Sequence, residues 1–526
     1  MLIIVVYIIA AVLLAAYSLN TVLLTALFLQ HRHHRRPAPP LSRFPRVTVQ
    51  LPIYNERYVV NRLISAVARL DWPRDRLEIQ VLDDSTDVTT SIARAAVRHW
   101  QQRGINIHLI HRDNRTGFKA GALAHGLTTA AGKFIAIFDA DFVPPPDFLR
   151  RTIPHLVTEP DLGLAQARWG HLNADYSLLT RAEALAIDAH FIVEQSARDR
   201  SGLYLNFNGT AGVWRRECIE TAGGWHADTL SEDVDLSYRA QLAGWRLRYL
   251  PAVVVPAELP PQIHGFKGQQ FRWAKGSIQV ARKLARPLLT HDCPLWVRLQ
   301  GLMHLTGYLI HPLMVVLLVA VVPLIITHRQ APAGFAYLSL ATLGPPFLHT
   351  VAQRAVYSDW RRRMLSFPVL AFIGTGIALS NTVAVAEALL GYETAFKRTP
   401  KFRIEDRHDH WTDKSYALTS DPLALGEIAL AAYAGVGIVA AWQTGQWLII
   451  PYLLLYALGF GLVASLTLLH SRRNGRIKDC VLRTAYCVLR NPGTIIFEHA
   501  IRNTRYELHA KPWWSGLVDS VEQRDG

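Results

Sequence analysis

Residues 133–148 read "KFIAIFDADFVPPPDF". Phe134 to Phe138 is an apolar run of strand length, which marks a buried strand. It breaks at once into two aspartates, Asp139 and Asp141, and three prolines follow. Neighbouring carboxylates repel, and the charge on one raises the proton affinity of the other. A divalent cation removes that conflict. Mg²⁺ takes one or two carboxylates and fills its shell with water and phosphate oxygens. The stretch therefore predicts a metal-diphosphate site at a strand end. A solvated turn with acidic caps is the plainer alternative, and the other strand ends decide between the two.

Three further segments have the same design. "RVTVQLPIYNE" (46–56), "LEIQVLDDSTD" (77–87) and "NIHLIHRD" (106–113) are each a short apolar strand that ends in polar residues. Helical patterns at 57–70 and 88–103 separate them. Strands alternating with helices predict an α/β domain with a parallel sheet covered on both faces. Ligands of such sheets sit at the carboxyl ends of the strands. Those ends carry Asn55 and Glu56, then Asp83, Asp84 and Asp87, then Asp139 and Asp141. "RTGFKAGAL" (115–123) adds Lys119 beside two glycines at a helix start, where an ammonium and exposed backbone amides suit a phosphate. Together these describe a nucleotide-diphosphate pocket.

Two later stretches complete the set. Ser231-Glu232-Asp233 precedes an amphipathic helix. A capping box would explain the serine and the first-turn acids, but Asp235 follows too, and the acid density exceeds what a cap needs. One of these carboxylates can serve as general base toward a hydroxyl nucleophile. "GFKGQQFRWAKGS" (265–277) spaces Gln269, Arg272 and Trp273 three and four apart, on adjacent helical positions. Arginine pairs with a diphosphate and tryptophan offers a flat face to a sugar ring. The competing reading is a Trp/Arg anchor at a membrane interface.

The ordered set Asp84, Asp139-Ala-Asp141, Ser231-Glu232-Asp233 and Gln269-Gln-Phe-Arg272-Trp273 resembles the D, DxD, (T/S)ED, QxxRW series of the processive family-2 glycosyltransferases. "LDDSTD", "GFKAGAL", "QARW", "DAHFIVEQ", "FNGTAGVWR" and "QQFRW" are similar to the cellulose-synthase-like A and C subgroup, which makes β-1,4-mannan or glucan backbones. The resemblance covers Val47 to Ser277 and, more loosely, "FKRTPKF" at 396–402. It implies a cytosolic GT-A domain beside a membrane channel. The donor is GDP-mannose or UDP-glucose, the cofactor Mg²⁺ or Mn²⁺, and the acceptor a growing polysaccharide. Carried over residue by residue, it implies that Pro52, Glu56 and Asp84 hold the nucleotide. Lys119, Gln269 and Arg272 hold the diphosphate. Asp139 and Asp141 hold donor and metal, and Asp233 is the catalytic base. Gly209, Thr210, Glu232 and Trp273 line the acceptor side. Ser231 replaces the commoner threonine, and no cyclic-dinucleotide-binding domain is evident. A single-sugar transferase acting on a lipid carrier would share the pocket but would not need Gln269–Trp273. A transporter or scaffold that only binds nucleotide would turn nothing over.

Composition sets the surroundings. Half of the 526 residues are hydrophobic, and the apolar residues gather in blocks. About 20 apolar residues span a bilayer, so Leu2–Leu29 is a membrane helix, too long for a signal peptide and without a basic start. "HRHHRR" (31–36) and the Pro-rich linker to residue 46 follow it. Further spans are expected at Leu302–Thr327, Phe335–Ala352, Leu425–Trp442 and Trp447–His470. An interfacial helix is expected at 287–301, a surface-lying or re-entrant segment within 364–402, and a cytosolic tail at 471–526. The glycosyltransferase domain is assigned to 47–286. The net charge of +15 is explained by basic residues flanking the apolar blocks, and nucleic acid is not an expected partner. Four scattered cysteines form no framework and face a reducing compartment. Arginine outnumbers lysine and alanine is abundant, which suggests a bacterial source and its inner membrane.

Overall fold

The computed structural model describes residues 1–32, 37–329, 333–392, 398–411, 414 and 421–490, with 333–336 and 472–490 as backbone only. Residues 33–36 of the basic run, 396–397 of "FKRTPKF" and the tail beyond 490 lie outside the described residues. Met1–His470 form one compact unit; Ser471–Gly526 form a second, described only over the helical residues to 490.

Residues 47–257 contain a sheet of seven strands: β1 Val47–Ile53, β2 Leu77–Asp83, β3 Ile107–His111, β4 Phe134–Ile137, β5 Leu162–His171, β6 Gly212–Arg215 and β7 Arg246–Ala257. Their spatial order is β3-β2-β1-β4-β6-β5-β7. The opening stretch sits at its centre. Phe134, Ala136 and Phe138 face one core with Val49 and Leu51, whereas Ile135 and Ile137 face the other with Leu123 and Trp214. A strand buried on both faces has no polar alternation to show, which is why this one reads as a continuous apolar run.

The parallel sheet expected from the sequence needs one correction. β6 runs antiparallel to both of its neighbours, β4 and β5. The chain reaches it through 203–211 at the carboxyl edge, so a strand entered from there has to run back. The sheet is mixed, and this reversal brings Gly209 and Thr210 to the edge that carries Asp139. Registration aligns the polar tips as well: Ile53 pairs with Asp83 and Gln50 with Ile137.

Helices α2 Val60–Val67, α3 Thr89–Gln101, α4 Phe118–Thr129 and α5 Phe148–Thr158 connect the first strands. α6 Leu178–Asp188 continues through a π-wound turn, Ala189–Gln195, into α7 Ser196–Arg200. α8 Arg216–Thr221 and α9 Glu232–Leu242 precede β7, and the long α10 Ile263–Thr290 follows it. α1 is the N-terminal Leu2–His31.

The remaining elements are helical: α11 Leu295–Leu305, α12 Ile310–Ile326, α13 Gly344–Val356, α14 Trp360–Met364, α15 Phe367–Gly376, α16 Ala378–Leu390, α17 Leu423–Gln443 and α18 Ile450–Arg490. Among the described residues four stretches are long and apolar enough to cross a membrane: Leu2–His31, Gly307–Ile326, Leu423–Gln443 and Trp447–Ser471. On that count the chain is a membrane protein. The span expected at Phe335–Ala352 is not among them. A 3₁₀ stretch over Ala333–Leu343 meets α13 at Gly344-Pro345-Pro346. Proline has no backbone N–H to donate, so no single helix runs through. In the 364–402 region α15 and α16 meet at a 44° bend, the geometry of a broken span or a re-entrant pair.

α10 joins the two halves. Lys267 lies 2.6 Å from Glu427 on α17, and Lys275 lies 2.7 Å from Glu387 on α16; both ammonium groups are buried.

Candidate active site

One cleft at the carboxyl edge of the sheet is lined by Pro52, Glu56, Asp84, Lys119, Asp139, Asp141, Gly209, Glu232, Asp233, Gln269, Arg272 and Trp273. Residues drawn from a span of more than two hundred positions thus converge on one cavity. Thr210 is fully buried behind it, and its hydroxyl accepts the backbone N–H of Asp139 at 2.9 Å.

The structure separates the three aspartates of "DDSTD". Asp83 is buried and held by His111 at 3.0 Å and by the N–H of Ser85. Asp87 accepts the N–H of Thr89 at the start of α3. Only Asp84 lines the cleft, gripped by both nitrogens of the Arg112 fork at 2.7 and 2.6 Å.

At the centre, Lys119 projects from the first turn of α4. Its ammonium lies 2.6 Å from Asp139 and 3.7 Å from Glu232, and donates to the Gly209 carbonyl at 2.9 Å. Burial alone would lower its proton affinity, but Asp139 and Glu232 raise it above that of an ordinary lysine. Burial also raises the pKa of Asp139 and Glu232, against the pull of Lys119. Asp233 is pushed up to about 7, first by burial and then by the neighbouring Glu232, with Lys119 opposing.

α9 does not begin with the capping box that "SED" could have formed. Ser231 is the N-cap residue, yet its side chain makes no cap hydrogen bond. It packs instead on Gly276 of α10. A methyl group there would fall well inside contact distance of the Ser231 hydroxyl, 2.8 Å from its Cβ and 2.9 Å from its N. Gly209 is similarly constrained. It has a positive φ of 82°, and a Cβ would stand 3.0 Å from the Asp233 carboxylate. α10 then presents Gln269 and Trp273 one turn apart, and half-buried Arg272 donates to Thr399 at 2.7 Å. Burial lowers the Arg272 pKa to about 10.

Sequence reasoning missed three cations in the cleft. Arg115 lies over the Tyr54 ring, its guanidinium 3.4 Å from the ring centroid. Arg398 lies 2.6 Å from Glu56, and Lys401 lies 2.7 Å from Asp141. Arg398 and Lys401 belong to "FKRTPKF", which the resemblance touched only loosely and which follows the sheet by well over a hundred residues. The Glu56 carboxyl is raised to about 7 by burial, with Arg398 opposing.

Asp139 and Asp141 offer hard oxygen donors at adjacent positions of the cleft wall, a donor set that fits Mg²⁺ or Mn²⁺ beside a diphosphate. His226, Asp228 and Asp235 form another group close enough to share an ion. Lys283 stands among all three, 3.0 Å from His226, 2.8 Å from Asp228 and 2.9 Å from Asp235, and Arg239 pairs with Asp235 as well. None of the three lines the cleft, and the group reads as an ion-pair cluster. Among the described residues Cys218 and Cys293 are free thiols.

Comparison with known proteins places this geometry. Residues 45–276 match the family described as glycosyltransferase-like family 2. Over 247 residues the chain is 48% identical to glucomannan 4-beta-mannosyltransferase 1 of Oryza sativa subsp. japonica, covering 46% of this chain and 47% of the relative. It is 46% identical over 252 residues to glucomannan 4-beta-mannosyltransferase 2 of Arabidopsis thaliana, covering 47% of each. The chain spans about half the length of the curated relatives it matches. These relatives are plant proteins and lend no support to the bacterial source that composition suggests. The solved structure of mannosyltransferase PcManGT from Pyrobaculum calidifontis, in complex with GDP-Man and Mn²⁺, superposes with a TM-score of 0.50. It is 23% identical and covers 74% of this chain and 100% of its own. At that identity the likeness speaks for the fold. Residues 45–276 are therefore a family-2 glycosyltransferase domain with a GT-A fold.

Proposed function

We propose that this chain is a membrane-embedded inverting hexosyltransferase that extends a β-linked glycan, a β-1,4-mannan, glucomannan or glucan, from GDP-mannose or UDP-glucose. The observation that carries this reading is the convergence of Lys119, Asp139, Asp141, Asp233 and Gln269–Trp273 on one cleft beside membrane helices. In this reading the base and ribose lie against Pro52, Glu56 and Asp84. The diphosphate lies against Lys119, Gln269 and Arg272. Asp139 and Asp141 hold Mg²⁺ or Mn²⁺, which when bound neutralises diphosphate charge. Trp273, Glu232, Gly209 and Thr210 border the acceptor. The basic run after α1 supports a cytosolic position for the domain.

Transfer is one displacement. The acceptor hydroxyl oxygen bonds to the anomeric carbon as the bond from that carbon to the diphosphate oxygen breaks. The electron pair leaves with the diphosphate, whose growing charge Lys119 and Arg272 stabilise. The hydroxyl proton passes to the Asp233 carboxylate. An α-linked donor thereby gives a β-linkage.

The test is incubation of membranes carrying the protein with each radiolabelled donor and Mg²⁺ or Mn²⁺, then digestion of the product with mannanase or cellulase. An alkali-insoluble polymer cut by one of these supports the reading. A one-sugar glycolipid, or no turnover with either donor, overturns it.

A second expectation concerns Lys401, whose ammonium pairs with the Asp141 carboxylate at 2.7 Å. Burial would lower its proton affinity, but Asp141 holds it up. Lys401→Met should tighten Mn²⁺ binding to the nucleotide-free protein roughly tenfold, because a competing unit charge near the ion is removed. Titration of the Mn²⁺ electron-paramagnetic-resonance signal reads this directly. Unchanged affinity would mean that Lys401 does not compete for the site.

A further inference from the structure

The motif "DAHFIVEQ" has no role in the reaction described above, yet two of its side chains bond to Asn208, a residue of the cleft wall. Its residues 189–195 are wound as a π-helix. In an α-helix a residue stands about 140° around the axis from the one five positions on, so His190 and Gln195 would face different sides. The i→i+5 bonding of a π-helix brings position i+5 back nearly above position i. His190 and Gln195 accordingly reach the same side chain. Gln195 Nε2 donates to Asn208 Oδ1 at 2.6 Å, and Asn208 Nδ2 donates to His190 Nε2 at 3.0 Å. His190 Nε2 is then the acceptor, so Nδ1 carries the hydrogen and donates to Glu194 Oε2 at 3.0 Å.

Asn208 lines the cleft and is half-buried. Its own N–H donates to Gln166 at 3.1 Å. The next residue, Gly209, backs directly on the Asp233 carboxylate. An acceptor hydroxyl delivering its proton to Asp233 must therefore place its sugar beside Asn208. One amide hydrogen of Asn208 has no protein acceptor among the described residues and is free for a sugar oxygen.

We propose that His190 and Glu194 are positioning residues: through the π-turn they lock the amide of Asn208 in the orientation that holds the acceptor sugar against Asp233. The proposal rests on the glycosyltransferase reading and deepens it. Its consequence is a partition. When Asn208 loses its anchor, the acceptor sits poorly and water competes for the anomeric carbon. The oxygen of water then forms the new bond, its proton goes to Asp233, the diphosphate leaves as before, and free hexose results.

The experiment measures GDP release and polymer-bound label from GDP-mannose with Mn²⁺ in membranes carrying the full chain, together with GDP affinity. In His190→Ala and Glu194→Ala the ratio of free hexose to polymer should rise about tenfold or more, given that misplacement by 1 Å costs about 10²-fold, with GDP affinity kept. Glu194→Gln retains an oxygen acceptor for His190 and should stay near the wild-type ratio. A ratio unchanged in both alanine variants overturns the positioning role, as does an equal fall in hydrolysis and transfer. Wild-type protein that releases nucleoside diphosphate from neither GDP-mannose nor UDP-glucose overturns instead the enzymatic reading beneath it.

Discussion

Asp233→Asn should reduce polymer formation by about 10²–10⁴-fold, the usual worth of a positioned general base. The substitution is isosteric. It keeps the oxygen that accepts the Val234 N–H at 2.8 Å, so α9 should begin as before and nucleotide affinity should be retained. What is lost is the site that receives the acceptor proton. The same residue sets a pH limb. Burial and the Glu232 charge place its pKa at about 7. A base works only when deprotonated, so kcat/KM for the donor should fall tenfold per pH unit below about 7. The residual rate of the asparagine variant should be flat across that range. Wild-type polymer yield from Asp233→Asn would remove the base assignment, and a flat wild-type profile between pH 5 and 7 would weaken it as strongly.

Gly276→Ala should be almost as damaging, though the residue touches no substrate. The added methyl group would collide with Ser231, whose backbone is fixed by the start of α9. Overpacking of this kind costs about 1–3 kcal/mol. Relief requires α9 and α10 to part, and that moves Asp233 away from Trp273. Sugar transfer should fall on the order of 10²-fold through misplacement. Gly268, on the same helix, has nothing within 4 Å of where its Cβ would stand. Gly268→Ala should be neutral or slightly stabilising, since alanine favours a helix by up to about 1 kcal/mol. Thermal unfolding in detergent and donor turnover measured on both variants check this pair. Equal behaviour of the two would deny the close approach its importance.

The sequence was legible where chemistry and local pattern coincide. β1, β2 and β4 announce themselves by apolar runs with acidic ends, and the "SED" and "QQFRW" stretches by residue types that a helix surface would not otherwise collect. β6 was missed because four residues, "GVWR", carry no period, and its direction is decided by where the preceding loop arrives. The expected span at Phe335–Ala352 was apolar enough, but hydropathy does not see the proline pair at its middle. Lys401 and Arg398 escaped for a different reason. Their contacts with Asp141 and Glu56 close loops of more than two hundred residues, and charge alone does not say which carboxylate a lysine will find. Of the "DDSTD" acids, sequence could not tell the structural Asp83 and Asp87 from Asp84 in the cleft; only their hydrogen-bond partners do.

The two buried ammonium groups of α10 have a practical consequence. Lys267 and Lys275 bracket Gln269, Arg272 and Trp273, and their counter-charges Glu427 and Glu387 lie far beyond residue 276. Removing one partner of a buried ion pair typically costs about 3–5 kcal/mol. A fragment excised at the end of the recognisable domain would bear every signature of the transferase. It would also lose Glu427 and Glu387, the carboxylates that hold Lys267 and Lys275 and with them α10, and would lack Arg398, Thr399 and Lys401. Truncation for solubility would therefore dismantle the cleft it was meant to isolate.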